Sequence, residues 1–154
     1  MKRQVFSDLY GNNSKISSIE ILHKNSNGQY QTIDKILNRQ EKILWEGVAY
    51  LNGSQTANLK EKISEQPHGV VLIWSGYDVE TGQEKNYNYR ITYIPKYSAR
   101  LVAGTFEVFG GTNGIHAFKY FYINDEKITG NNVNQQTVGG FDNRTIVLRY
   151  VVGF

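Results

Sequence analysis

Residues Tyr87 to Ile94 alternate strictly. Tyr87, Tyr89, Ile91 and Tyr93 share one phase, and Asn88, Arg90 and Thr92 share the other. A period of two puts these sets on opposite faces of a half-buried antiparallel strand, ended by Pro95. Val70 to Tyr77 is apolar in both phases, with Val70, Leu72 and Trp74 in one and Val71, Ile73 and Tyr77 in the other. That is the pattern of a central strand covered on both sides. Further runs lie at Leu44–Leu51, Thr56–Leu59, Thr105–Phe109, Ile115–Ile123 and Thr145–Val152. Turn signals fill the gaps: Asn52-Gly53, Thr81-Gly82, Gly110-Gly111, Asn113-Gly114, Asn124-Asp125 and Gly139-Gly140. Short strands, frequent turns and no long helical period predict a mainly β chain, an antiparallel β-sandwich of jelly-roll-like form.

The N-terminal part reads differently. Residues 1–18 carry little pattern and are expected to be an extended arm. Ile19–His23 and Tyr30–Ile33 flank Asn25-Ser26-Asn27-Gly28, a hairpin signal. Residues 34–42 read as a short amphipathic helix or as a polar linker. The expected division is 1–43, an attachment arm with a hairpin, and 44–154, the sandwich. Lys60 to Gln66 is expected to make a helical turn that stops before Pro67. The last ten residues, Thr145 to Phe154, are almost wholly apolar and are expected to form a strand in a core or a subunit interface.

Composition narrows the function classes. The absence of cysteine excludes disulfides, thiolate metal sites and cysteine nucleophiles. The net charge of +3 is spread along the chain, with Lys2-Arg3 and Lys60–Lys62 its densest points, so no nucleic-acid partner is expected. No apolar run approaches the roughly 20 residues of a membrane helix, and Met1–Asp8 lacks the apolar segment of a secretory signal. His23, His68 and His116 lie far apart and read as surface or strand-end residues, so no metal or cofactor is expected. Asn124-Asp125-Glu126 has calcium-ligand chemistry but reads as a turn. Gly110 to Gly114 lacks the lysine of a phosphate loop and also reads as a turn. Asp78, Glu80 and Glu84 cluster on one hairpin loop without a second carboxylate group opposite, so no enzyme is expected. Polar residues 131–140 make a long connection of the kind that contacts neighbours.

The candidate ligand residues are aromatic and amide. Tyrosine suits positions that are part apolar and part wet. Trp74, Tyr77, Tyr87 and Tyr89, with Asn88 and Arg90, are the candidate sugar-binding set. The reading allots most of the tyrosines to the core and leaves a few at the rim.

One ordered series of motifs covers most of the chain. It runs through Leu44-Trp45-Glu46-Gly47, Tyr50-Leu51, Gln55-Thr56 and the block Ile63 to Tyr77. It continues through Asn86-Tyr87-Asn88-Tyr89, Tyr93-Ile94-Pro95-Lys96, Lys119 to Asp125 and Val147 to Gly153. The series resembles the C-terminal domain of fibre and tail-tip structural proteins of phages and prophages of Gram-positive bacteria. Ile21 to Tyr30 resembles the lead-in that precedes that domain. The resemblance implies a virion structural protein of the tail, baseplate or head fibre, made in the bacterial cytoplasm and released by lysis. It implies a homotrimer used for attachment or host contact and docked on other virion proteins through the N-terminal arm; the Tyr, Trp and Asn enrichment makes host cell-wall polysaccharide the expected ligand. The alternative is a decoration or connector protein with no ligand. About 18 residues precede the match, too few for a fibre shaft.

Overall fold

The computed structural model describes residues 22–24, 27–32, 41–100, 104–110 and 116–154. The expected arm, residues 34–40 of the expected helix or linker, and the glycine turn at 111–114 lie outside them. The chain divides into two units, 1–39 and 40–154. In the first, β1 (Leu22–Lys24) pairs antiparallel with β2 (Tyr30–Thr32), in the register Leu22 to Thr32. Gly28 takes φ +79 in the connection, a left-handed conformation that glycine adopts without steric cost.

The second unit is an antiparallel β-sandwich with a curled, half-barrel outline. One sheet places β13 (Ile146–Gly153) between β3 (Lys42–Ala49) and β5 (Gly69–Asp78). The free side of β5 carries β7 (Arg90–Pro95) along most of its length and β6 (Gln83–Glu84) at its end. The other sheet runs in the order β4 (Thr56–Asn58), β10 (Lys127–Gly130), β9 (Ala117–Ile123), β8 (Gly104–Phe109). A small hairpin, β11 (Thr137–Val138) with β12 (Phe141–Asp142), turns on Gly139 and Gly140. At the turn expected before Pro67 the chain makes a single 3-10 turn, Ile63–Glu65. Ser64 there donates its N–H and its hydroxyl to the Asp125 carboxylate, both at 2.7 Å.

The core joins the two sheets. Leu44, Val70, Leu72, Trp74, Ile94, Leu148 and Val151 from one meet Ala57, Phe109, Phe121, Ile123 and Ile128 from the other. The Trp74 ring lies 5.5 Å from that of Phe109 and 5.7 Å from that of Phe121. Its indole N–H donates to Thr92 Oγ1 at 3.0 Å, which satisfies the one polar atom it brings inside. The Thr92 hydroxyl also bonds Glu107, whose carboxyl is pushed up by burial.

Two expectations are corrected here. The strand expected over Tyr87–Ile94 begins at Arg90, and Tyr87, Asn88 and Tyr89 belong to the preceding loop. Its inward phase is the polar one: Thr92 is 7% and Ile94 4% exposed, against 54% for Ile91 and 66% for Tyr93. Among the described residues no tyrosine belongs to the buried core. The physical reason is the hydroxyl, which needs a partner that a dry core of Leu, Val, Ile and Phe does not supply. Second, β5 is central but covered on one side only. Val70, Leu72 and Trp74 are fully buried, while Val71 and Ile73 on the other face remain half-exposed.

Candidate functional site

The loop between β6 and β7 carries the most prominent exposed aromatics next to amides. Tyr87 is 57% and Tyr89 46% exposed, and Asn88 between them takes φ +55. A non-glycine residue in the left-handed region is uncommon, and Asn is among the few that adopt it readily. It bends the chain between β6 and β7, which both run antiparallel to β5, and all three side chains stay at the surface.

The loop is tied down at both ends by arginines. Against β5, the register of β13 slips at Arg149: Leu148 faces Trp74, and Tyr150 already faces Ile73. The extra residue leaves the ladder, as in a β-bulge. Arg149 is only 8% exposed. Its Nη1 donates to Asn86 Oδ1 at 3.0 Å and approaches Ser75 Oγ at 3.5 Å, and its Nη2 lies 3.3 Å from Glu84 Oε1. Its Nε donates to the Gly47 carbonyl at 3.3 Å. At the other end Arg90 donates to the carbonyl of Gly110 at 2.9 Å and to that of Asn88 at 3.4 Å, lying over the Phe109 ring. Lys85 N–H bonds the Gly76 carbonyl at 2.8 Å.

Beside this loop lies the outer face of the β3-β13-β5-β7 sheet. The register lines up Ile43, Val152, Val71 and Tyr93 in one row and Glu46, Tyr150, Ile73 and Ile91 in the next, with Glu46 exposed at the β3 edge. Among the others, Ile43, Ile91 and Tyr93 are exposed, and the rest are half-buried. The Phe154 ring meets Tyr93 edge-on at 5.9 Å. A continuous apolar strip of this kind marks a contact surface on a protein.

A second polar centre lies inside. Lys119 falls in the inward phase of β9, with Ala117, Phe121 and Ile123, and is fully buried. Its Nζ donates to the carbonyls of Asn143 at 2.7 Å, Asn134 at 2.9 Å and Tyr50 at 3.3 Å. Burial pulls its pKa down to about 7, with the Asp142 charge opposing. Three carbonyl acceptors match the three donors of an ammonium group. Asn134 and Asn143, both fully buried, use their side-chain amides as a substitute strand alongside β9. Asn134 accepts from Tyr120 N–H and donates to the Tyr120 and Leu51 carbonyls; Asn143 accepts from Phe118 N–H and donates to the Val133 carbonyl. The Leu51 carbonyl lies where a Cβ on Gly130 would stand, so only glycine fits there. The polar stretch 131–140 therefore contributes Asn134 to the interior.

The sequence-derived set separates into three places. Trp74 is walled into the core, which removes it from any sugar platform. Tyr77 packs edge-on against Tyr50 at 5.1 Å, and burial together with the Tyr77 hydrogen bond pushes the Tyr50 phenol up to about 12. Tyr87, Asn88, Tyr89 and Arg90 stay together, with Arg90 turned back on its own chain. Asn124 accepts the N–H groups of Glu126 and Lys127, both at 2.9 Å, in an Asx turn. Arg149, Lys119, Asn134 and Asn143 escape the sequence reading, which takes Glu84 for a solvated loop acid and Asn86 for a rim amide. The available signal was a cation in the middle of an apolar strand, Arg149 in Val147–Val152 and Lys119 in Ala117–Ile123.

Fold and site together define an antiparallel β-sandwich that displays a braced aromatic loop beside an apolar sheet face. No protein-family profile matches the chain, and no curated protein is similar to its sequence.

Proposed function

We propose that this chain is a phage virion structural protein whose sandwich is presented at the particle surface and binds host cell-wall glycan. The observation that carries the reading is the concentration of aromatics on one outer face and its adjoining loop, in a chain whose ordered motifs resemble fibre and tail-tip domains. A core needs no exposed Tyr87, Tyr89, Ile91 and Tyr93; a contact surface does. The N-terminal arm docks on other virion proteins, and three copies of the chain assemble. The apolar strip through Ile43, Val71, Tyr93 and Ile91 is the proposed contact between copies. The row through Ile43, Val152, Val71 and Tyr93 is uncharged, and Glu46 stands only at the β3 end of the next, so the apolar part of the face is what a second copy covers. That leaves the loop of Tyr87 and Tyr89 for the host.

The direct test is retention of fluorescently labelled protein on intact cells of a panel of Gram-positive bacteria. Retention on a subset, abolished by enzymatic stripping of wall polysaccharide, is expected. Failure to be retained on any cell ends the attachment reading. It leaves the connector alternative, which the apolar strip favours independently. Light scattering of the purified protein is expected to give a trimer mass, and a monomer mass overturns the assembly.

A further inference from the structure

We infer that the Tyr87-Asn88-Tyr89 loop is a preorganised subsite for uncharged sugar residues, and that Arg149 is the positioning residue that holds it ready. The inference rests on the attachment reading above and narrows it to one loop, one ligand class and one brace.

The ligand class follows from which groups the loop leaves unoccupied. At the two ends of the loop the charges of Glu84 and Arg90 are engaged inside the chain: Glu84 pairs with Arg149, and Arg90 donates to the Gly110 and Asn88 carbonyls. What faces outward is two phenol rings with an amide between them. Such rings stack on the C–H faces of a pyranose, while amide and phenol groups bond its hydroxyls. A phosphate-bearing polymer calls instead for arginine or lysine, and neither stands among Asn86, Tyr87, Asn88 and Tyr89.

The brace follows from geometry. Arg149 is anchored in the sheet through Gly47 and Ser75, and its fork reaches out to Asn86 and Glu84 at the base of the loop. Two exposed tyrosines on a slack segment would lose conformational entropy on binding. With Glu84 and Asn86 tied to a buried guanidinium, the backbone at the base of the segment has already lost part of it. Planar bidentate geometry is the reason for arginine rather than lysine at this position.

The test uses the full chain, titrated with two fractions of Gram-positive cell wall, a neutral polysaccharide and a phosphate-bearing polymer, in low and high salt. Binding to the neutral fraction is expected, with affinity little changed between about 0.05 and 0.5 M salt. Tyr87→Ala with Tyr89→Ala is expected to weaken it at least about tenfold. Glu84→Ala with Asn86→Ala unties the loop but leaves the Arg149 bonds to Gly47 and Ser75. It is expected to weaken binding about three- to tenfold, with faster amide exchange confined to residues 87–90 and a thermal midpoint within a few degrees of wild type. Arg149→Lys is expected to behave like that pair, because an ammonium cannot span both partners. Unchanged affinity or unchanged exchange in the untied variant removes the positioning role alone. Unchanged affinity in the tyrosine variant removes the subsite and leaves attachment elsewhere on the protein. Preference for the phosphate polymer with steep salt dependence overturns the ligand class. Binding to neither fraction overturns the subsite and the attachment reading together.

Discussion

Two buried cations organise this molecule, and they are solvated in different ways. Lys119 donates only to backbone carbonyls, those of Tyr50, Asn134 and Asn143, and lies over the Tyr50 ring. Arg149 combines one backbone carbonyl with a hydroxyl, an amide and a carboxylate, and two of those partners belong to a surface loop. A compact ammonium at a junction of three chain segments works as an internal staple. A long planar fork leaving the sheet at a bulge connects the interior with an exposed element. The same positive charge therefore serves folding in one place and presentation in the other.

The largest effect is expected at the staple. Lys119→Met leaves three buried carbonyls without donors and should cost about 3 kcal/mol or more, read by urea unfolding. It should also change the pH profile. Because burial lowers the folded-state pKa to about 7, the unfolded chain holds more protons between there and the ordinary lysine value near 10.5. Wild-type stability should therefore rise from pH 7 toward 10, by roughly 1 kcal/mol per unit at most, and lie flat with respect to this group below 7. The Met variant should lack that rise; an identical slope in both proteins would break the assignment.

Asn134→Ala comes next. It strips partners from Tyr120 and Leu51 inside the sandwich, and about 2–3 kcal/mol should be lost in the same unfolding experiment. Arg149→Met should cost less, about 1–2 kcal/mol, since Glu84 and Asn86 can turn to water. Hydrogen exchange should then show loosening concentrated in residues 84–90, whereas Lys119→Met should loosen the turns at 50–52 and 131–145. Equal patterns in the two variants would erase the distinction between staple and brace. Smallest in stability should be Ile91→Ser with Tyr93→Ser, within about 0.5 kcal/mol for the isolated sandwich, because both are exposed. The same change should shift light scattering from the oligomer to the monomer.

Much of the fold was legible in the chain. The antiparallel sandwich, the positions of the longer strands other than the start of β7, the Asn-Gly hairpin and the Asx turn at Asn124 follow from period-two alternation and local turn chemistry, which act over a few residues. The candidate site was legible in part. Tyr87, Asn88 and Tyr89 could be named, but Trp74 was grouped with them because a shared composition does not reveal a shared place. Lys119 and Arg149 were visible as charges in apolar strands, yet their partners lie 15 to 102 residues away, beyond any local pattern.

What the sequence by itself determined is that this chain forms short, two-faced strands joined by tight turns, since sterics and pleat act residue by residue. Which face of each strand turns inward was decided only in the tertiary structure. Alternation defines two phases but does not rank them. The core chose Thr92 and Ile94 over Ile91 and Tyr93 because Trp74 required an acceptor and tyrosine hydroxyls required water. That choice puts the aromatic face of the molecule on the outside.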